Sequence, residues 1–295
     1  MSVASPSESS ARVLVTGASG FTGRYVCAEL ERRGFEPVRW GAGHQVVDLT
    51  DRQEVHRAVR DASPDFVIHL AAVSFVGHDD VEAIYRTNLL GTRHLLEGLS
   101  FLSAKPRHTI LASSANVYGN VEGRIDESAR PAPANDYGVS KLAMEYLAAL
   151  WTQTPITIVR PFNYTGVGQD ERFLIPKIVS HFRRKADEIE LGNIDVTRDF
   201  NDVRNVAEIY VDLLRTAGGG GPVNICSGNE TSLAAVIDNL SSISGHKLAV
   251  KVNPKFVRSN DVRRLVGDPS RMMELAGLRH MRPISETLRW MYEAP

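Results

Sequence analysis

Only two cysteines, Cys27 and Cys226, occur in the 295 residues, far apart and each inside an apolar element. So sparse a supply excludes a disulfide framework and offers no metal-ligand spacing; no metal is expected, and a reducing cytoplasm is the expected compartment. Charge of one sign is missing as well, since 34 Lys and Arg stand against 35 Asp and Glu for a net charge of -1. Without a basic field the chain has no general affinity for nucleic acid or an anionic membrane, and any anion it recognises must be held locally. Long apolar runs are absent, so no membrane-spanning helix is expected. The Ser/Pro-rich residues 1–10 read as a flexible tail rather than a signal peptide. There are no internal repeats and no long low-complexity linkers. The remaining composition, 43% hydrophobic and 23% charged, is that of a globular chain long enough for one large core or two joined lobes.

What is present is ordered. The β-branched run Arg12 to Thr16 passes straight into Gly17-Ala18-Ser19-Gly20-Phe21-Thr22-Gly23 and then a helical stretch from Arg24. Strand, glycine turn and helix in that order let the backbone approach a diphosphate, with the helix N-terminus supplying free amides and partial positive charge. The spacing is G-x-x-G-x-x-G, and its place after the first strand points to dinucleotide binding. A second strand, Glu36 to Trp40, carries Arg39 near its end, where an acid would select a free 2'-hydroxyl and a base a 2'-phosphate. Arg39, with Arg24 assisting, therefore leans toward NADP(H). Asp48 is placed to accept from an adenine amino group, and Ala71-Ala72 after the strand Phe66 to Leu70 are small enough for a cofactor to lie across the strand ends.

Predicted helices at 52–62, 79–102 and 135–154, separated by strands at 66–70 and 107–112, alternate as in an α/β protein with a doubly wound parallel sheet. Asn88, polar among apolar neighbours in its helix, is expected either to be exposed or to hold a backbone group or water. Ser113-Ser114-Ala115-Asn116 follows the fourth strand, at the sheet edge where such folds place ligands. The third helix opens with Asn135-Asp136-Tyr137-Gly138-Val139-Ser140-Lys141, in which Asn135 or Asp136 can cap the first turn. Tyr137 and Lys141, four residues apart, share a helix face. An adjacent ammonium favours a phenolate, so Lys141 is expected to draw Tyr137 toward proton exchange. Reaching neutrality takes about three pH units, or roughly 4 kcal/mol, to which a cationic cofactor is expected to contribute. Beyond Arg160 the simple alternation ends. The expected division is a dinucleotide-binding domain, 11–165 and 199–228, and a smaller substrate-binding region, 166–198 and 229–295.

Taken in order, Thr16 to Gly23, Ser114, Tyr137 with Lys141, and Arg160 to Asn163 resemble the extended short-chain dehydrogenase/reductases, in their sugar-nucleotide branch, over essentially the whole chain after Ser10. Phe173 to Lys177, Glu190 to Asn193 and Arg198-Asp199-Phe200 are similar to GDP-6-deoxy-4-keto-mannose reductases. The resemblance implies a Rossmann fold and a catalytic trio of Ser114, Tyr137 and Lys141, with Asn88 as a fourth member in a proton relay. In the trio Ser114 hydrogen-bonds the substrate carbonyl, Tyr137 donates the proton and Lys141 binds the nicotinamide ribose. It implies cofactor contacts from Gly17, Ser19, Gly20, Phe21, Thr22, Gly23, Arg39, Asp48, Leu49, Leu70, Ala71, Ala72, Pro161 and Phe162 as well as Tyr137 and Lys141. Ser114, Asn116, Asn163, Lys177, Arg198, Arg258 and Asp261 are implied on the substrate side. Ser259 departs from the Pro that commonly follows the Arg at position 258.

The implied activity is reduction of the C4 ketone of a 4-keto-6-deoxy sugar on a nucleoside diphosphate. GDP is the implied carrier, giving GDP-rhamnose or its C4 epimer, with NADP(H) preferred and NAD(H) possible. The alternatives are a C4 epimerase that retains its NAD and a non-catalytic NADP(H)-sensing regulator. The 4,6-dehydratases of the branch place Asp-Glu directly after their Ser/Thr, where this chain has Ala115-Asn116. An amide and a methyl group cannot serve as general acid and base, so dehydration is not expected. By resemblance a homodimer through paired helices is also expected.

Overall fold

The structure, a computed structural model, describes residues 11–41, 43, 45–74, 80–216, 220–256, 262–277 and 281–295. The first half alternates as the sequence predicts: β1 (Arg12–Thr16), α1 (Phe21–Arg32), β2 (Glu36–Trp40), α2 (Arg52–Ala62) and β3 (Phe66–His69). The predicted helix at 79–102 is two helices, α3 (Val81–Tyr85) and α4 (Thr92–Ser100), joined by a π-helical turn over Arg86–Gly91. Then come β4 (His108–Ala112), the short β5 (Gly123–Ile125), α5 (Asp136–Ala148) and β6 (Ile156–Pro161). Helix α5 stops six residues short of the predicted Thr154.

The second half holds β7 (Asn163–Thr165), α6 (Leu174–Arg183), β8 (Glu188–Leu191), β9 (Thr197–Arg198), β10 (Phe200–Asp202) and α7 (Val203–Leu213). It continues with β11 (Val223–Ile225), β12 (Thr231–Ser232), α8 (Leu233–Ser244), β13 (Ala249–Val252), β14 (Arg264–Gly267), α9 (Ser270–Ala276) and α10 (Ile284–Glu293).

Six strands form one parallel sheet in the order β11-β6-β4-β3-β1-β2. Both faces are covered, as a parallel sheet requires. Val13 and Val15 turn to the face packed by α1 and α7, and Leu14 to the face packed by α2, α4 and α5. The chain reverses direction across the sheet between β1 and β3, and the crevice at such a switch point is where these folds take ligands. Among the described residues no helix is long and apolar enough to cross a membrane.

A separate core lies under the second half, built from Ile175, Ile178 and Phe182 of α6, Leu233 and Leu240 of α8, and Leu288 and Met291 of α10. Three small sheets surround it: β10-β7, β12-β9-β14-β5 and β13-β8. Apart from β13 none of these strands was legible in the sequence. They run two to four residues, too short for a period, and β5 finds its partner β14 some 140 positions away. The chain returns to the large sheet with β11, while β10 pairs with β7.

Candidate active site

At the end of β1 the glycine turn is fixed by steric necessity. Gly17 has φ +69, and a Cβ on it would stand 2.9 Å from the Ala71 backbone nitrogen; one on Gly23 would stand 2.2 Å from the Gly17 carbonyl oxygen. Turn, helix and strand end are thereby packed with no room between them. Gly20 begins α1 without a side-chain cap, which leaves the first-turn amides for an anion. The turn opens into a cleft of about 1770 Å³ that runs across the sheet edge into the second half of the molecule. Gly17, Ser19, Gly20, Phe21, Thr22 and Gly23 line it, as do Asp48, Leu49, Leu70, Ala71, Ala72, Pro161 and Phe162.

Arg39 stands elsewhere. Val38 and Trp40 pack into the core on one face of the sheet, which turns Arg39 to the other, against α1. There its Nη2 donates to Glu31 Oε1 at 2.5 Å, outside the lining of the cleft. Arg39, expected to meet a 2'-phosphate, is thus placed by strand alternation on Glu31 and outside the cleft lining. Asp48 lines the cleft with Oδ1 accepting from Thr50 N at 2.8 Å and Thr50 Oγ1 at 2.7 Å.

Helix α5 delivers the central group. Asn135 caps it, accepting from Gly138 N at 2.8 Å, while Asp136 accepts from the Tyr85 hydroxyl at 2.8 Å. Gly138 lets the first turn press on the Ser114 loop, since a Cβ there would sit 2.7 Å from the Asn116 carbonyl oxygen. Ser114 and Tyr137 are thus brought together, and the serine hydroxyl hydrogen-bonds the phenol. Ser114 Oγ also accepts from Asn116 N at 3.1 Å and Asn116 Nδ2 at 3.0 Å, which leaves its own proton to be donated.

The electrostatics differ from the sequence expectation. Burial pushes the Tyr137 phenol well above its ordinary range, the nearby Tyr164 adds to the rise, and only the Ser114 hydrogen bond opposes it. The Lys141 ammonium donates instead to the Ala112 carbonyl at 2.7 Å, and burial lowers its pKa to about 8 against the opposing pull of Glu145. Phenol and ammonium share a helix face, but the lysine is anchored on the strand end.

Asn88 does not enter the cleft. Fully buried in the π-helical turn, it accepts from Val73 N at 2.9 Å and donates to the Val73 carbonyl at 3.1 Å and to Ser140 Oγ at 3.0 Å. Both amide protons are committed, and Asn88 holds the backbone of the segment after β3, one of the two expectations for a polar residue at this position, while standing outside the cleft into which a proton relay would lead. His69 beside it is locked between Thr16 Oγ1 at 2.7 Å and Thr92 Oγ1 at 2.9 Å, and burial, then the charge of Lys141, depress its pKa to about 3.

Toward the second half the cleft is lined by Asn116, Asn163, Lys177 and Arg198. Lys177 Nζ donates to the Glu190 carbonyl at 2.8 Å and lies 4.9 Å from the Phe256 ring centre. Arg198 Nη1 donates to the Thr197 carbonyl at 3.0 Å. Arg258 and Asp261 lie outside the described residues. Tyr164, Arg172 and Phe256 also line the cleft and were missed. Tyr164 immediately follows the Arg160 to Asn163 motif and could have been found there; Phe256 sits in a stretch without period or motif. The half-buried Tyr164 phenol meets Thr22 Oγ1 at 2.7 Å and so ties β7 to the start of α1.

A glycine-turn nucleotide fold carrying Ser, Tyr and Lys at one strand edge defines the class as an NAD(P)-dependent oxidoreductase of the extended short-chain type. Residues 13–226 match the NAD dependent epimerase/dehydratase family, and the chain belongs to it. It is 37% identical to the GDP-6-deoxy-D-talose 4-dehydrogenase of Aggregatibacter actinomycetemcomitans, over 90% of this chain and 91% of that one. It is 33% identical to the GDP-6-deoxy-D-mannose reductase of Pseudomonas aeruginosa, over 94% and 95% of the two chains. Among solved structures, RMD from Pseudomonas aeruginosa complexed with NADPH superposes with a TM-score of 0.86 at 32% identity, covering 96% of each chain.

Proposed function

We propose that the protein reduces the C4 ketone of a 4-keto-6-deoxy sugar carried on GDP, to GDP-rhamnose or its C4 epimer. The observation that carries this reading is the meeting of Ser114 and Tyr137 beside Lys141, in one cleft lined by the glycine turn on one side and by Asn163, Lys177 and Arg198 on the other. The cofactor end fits such a group: a glycine turn with no space for a Cβ, uncapped helix amides and the small pair Ala71-Ala72. A nicotinamide bound there supplies the hydride. Ser114, its oxygen held by Asn116, donates to the carbonyl oxygen. Tyr137, which its surroundings keep protonated, gives up its proton as the far more basic alkoxide forms. Lys141, anchored on Ala112, takes the nicotinamide ribose in this reading. The two curated relatives, named for 6-deoxy sugars that differ at C4, support a C4 redox reaction and leave the product epimer to the substrate loops. With Arg39 withdrawn, NADP(H) preference rests on the NADPH complex of the Pseudomonas relative.

Ala115 and Asn116 separate this reading from dehydration. A 4-keto-6-deoxy GDP sugar is expected to oxidise NADPH one for one, while GDP-mannose with NADP⁺ yields no keto product by mass spectrometry. Appearance of that product, or epimerisation of a hexose without net NADPH consumption, overturns the proposal. Leu90 of the π-helical turn, Val139 and Tyr146 of α5, and Leu150 just past its end are exposed apolar residues and support the paired-helix homodimer; a monomer by analytical ultracentrifugation removes it.

A further inference from the structure

Behind the catalytic group lies a buried carboxylate that the mechanism above does not use. Glu145 stands one turn beyond Lys141 on α5 and does not line the cleft. Its Oε1 accepts from Ser113 Oγ at 2.5 Å and from Arg160 Nε at 2.9 Å, and its Oε2 accepts from Arg160 Nη2 at 2.6 Å. Both members of this ion pair are largely buried, with side-chain exposures of 5% for Arg160 and 10% for Glu145. The remaining Arg160 amine donates to the Tyr118 hydroxyl at 3.0 Å, which donates in turn to Asn224 Oδ1 at 2.7 Å.

Each partner sits next to the site. Ser113 precedes Ser114 at the end of β4. Arg160 belongs to β6, whose end leads through Pro161 and Phe162 to Asn163. Desolvating a buried ion pair costs so much that apolar residues of the same volume are often as stable. Stability alone therefore does not account for a pair at this place.

We propose that Glu145 is a positioning residue for the catalytic group: from one turn along α5 it sustains the ammonium of Lys141, and through Ser113 and Arg160 it fixes the strand ends that carry Ser114 and Asn163. Among the described residues, the groups that act on Lys141 are Glu145 from its own helix and the Ala112 carbonyl from β4, and its charge in turn bears on His69 of β3; Tyr137 shares its helix face. Tyr137 and His69 are both held neutral by burial. Glu145 is thus the carboxylate that opposes the desolvation of the lysine.

The catalytic part rests on the oxidoreductase reading, so the first measurement uses no substrate. With ¹³Cε-labelled lysine, and Lys141→Arg to assign the signal, Lys141 is expected to titrate near 8 in the wild type. In Glu145→Gln the midpoint is expected to fall by about one pH unit, a modest Coulomb effect for a nearby charge, and Glu145→Asp to recover most of it. Arg160 left unpaired could itself depress the midpoint. Glu145→Gln/Arg160→Met removes both charges, is expected to stay below the wild type, and decides the matter alone if the single variant does not fold. An unchanged midpoint in Glu145→Gln, or full recovery in the double variant, overturns the proposal. In turnover, the alkaline limb of the pH profile is expected to move down with the lysine midpoint, a change that a purely structural role would not produce. A limb that stays while the midpoint moves refutes the catalytic part. Absence of wild-type turnover with any 4-keto nucleotide sugar refutes the function proposed above and leaves the lysine result standing.

Discussion

At the β1–α1 end of the cleft the walls are mostly backbone, and at the α6–β14 end they are mostly side chains. The first is made by Gly17, Gly20 and Gly23 and by small residues at the ends of neighbouring parallel strands, all within one continuous sheet. The second is made by Asn163, Lys177, Arg198 and Phe256, brought in on helix α6, two short strands and a single helical turn from separated parts of the chain. A site of backbone is rigid and tolerates no added atom, whereas a site of side chains can change its ligand by substitution. Ser114, Tyr137 and Lys141 lie at the junction, on the edge of the rigid half.

The junction gives the largest expected effect. Tyr137→Phe removes only the hydroxyl proposed as proton donor and is expected to lower turnover by about a hundredfold or more. Cofactor affinity should stay within a few-fold, as read by fluorescence titration with NADPH; near wild-type turnover would show that the two halves do not meet at this residue.

Gly23→Ala attacks the backbone half directly. Its Cβ would be 2.2 Å from the Gly17 oxygen and 2.7 Å from the Ala18 Cα, neither of them a flexible side-chain tip. A loss of about 1–3 kcal/mol in chemical denaturation, with weakened cofactor binding, is the expected cost of overpacking. Lys177→Ala, on the side-chain half, should weaken nucleotide-sugar binding and leave cofactor titrations unchanged. If both variants weaken both ligands equally, the contrast between the halves is lost.

Acid tests the floor of the cleft. His69 binds its proton at about 6.5 when unfolded but only near 3 when folded. Its contribution to stability is therefore full above 6.5 and is lost as the pH falls through this window, by at most about 1.4 kcal/mol per pH unit. Denaturant midpoints of the wild type should fall between pH 6.5 and 4.5 more steeply than those of His69→Gln. Equal slopes would assign the acid sensitivity to other groups.

The smallest expected effect is at Arg39. With its guanidinium on Glu31, Arg39→Ala should alter the ratio of NADPH to NADH affinity by less than about twofold, well under the 1.4 kcal/mol of a tenfold change. A larger change would mean that the side chain reaches the cofactor after all.

Much of the cofactor half was legible in the chain, because its determinants are local. The residues of β1, the glycine turn and α1 are contiguous, and the bounds of β2 and α2 agree with the sequence reading to the residue. Tyr137 and Lys141 share a face by helix geometry alone. What tertiary structure decided is where groups point and what they spend their bonds on. Packing of Val38 and Trp40 turned Arg39 out of the cleft, the Val73 backbone occupied Asn88, and the Ala112 carbonyl took the ammonium that sequence spacing assigned to the phenol. Burial then reversed the expected direction of the Tyr137 shift, since desolvation acts through every neighbour at once and has no signature in residue order. The same holds for β5 and β14, which pair only because two distant segments are folded onto one edge. Periodicity and spacing carry local information; the direction of a side chain, the dielectric around it and its bonding partners are set by residues that the sequence keeps far away.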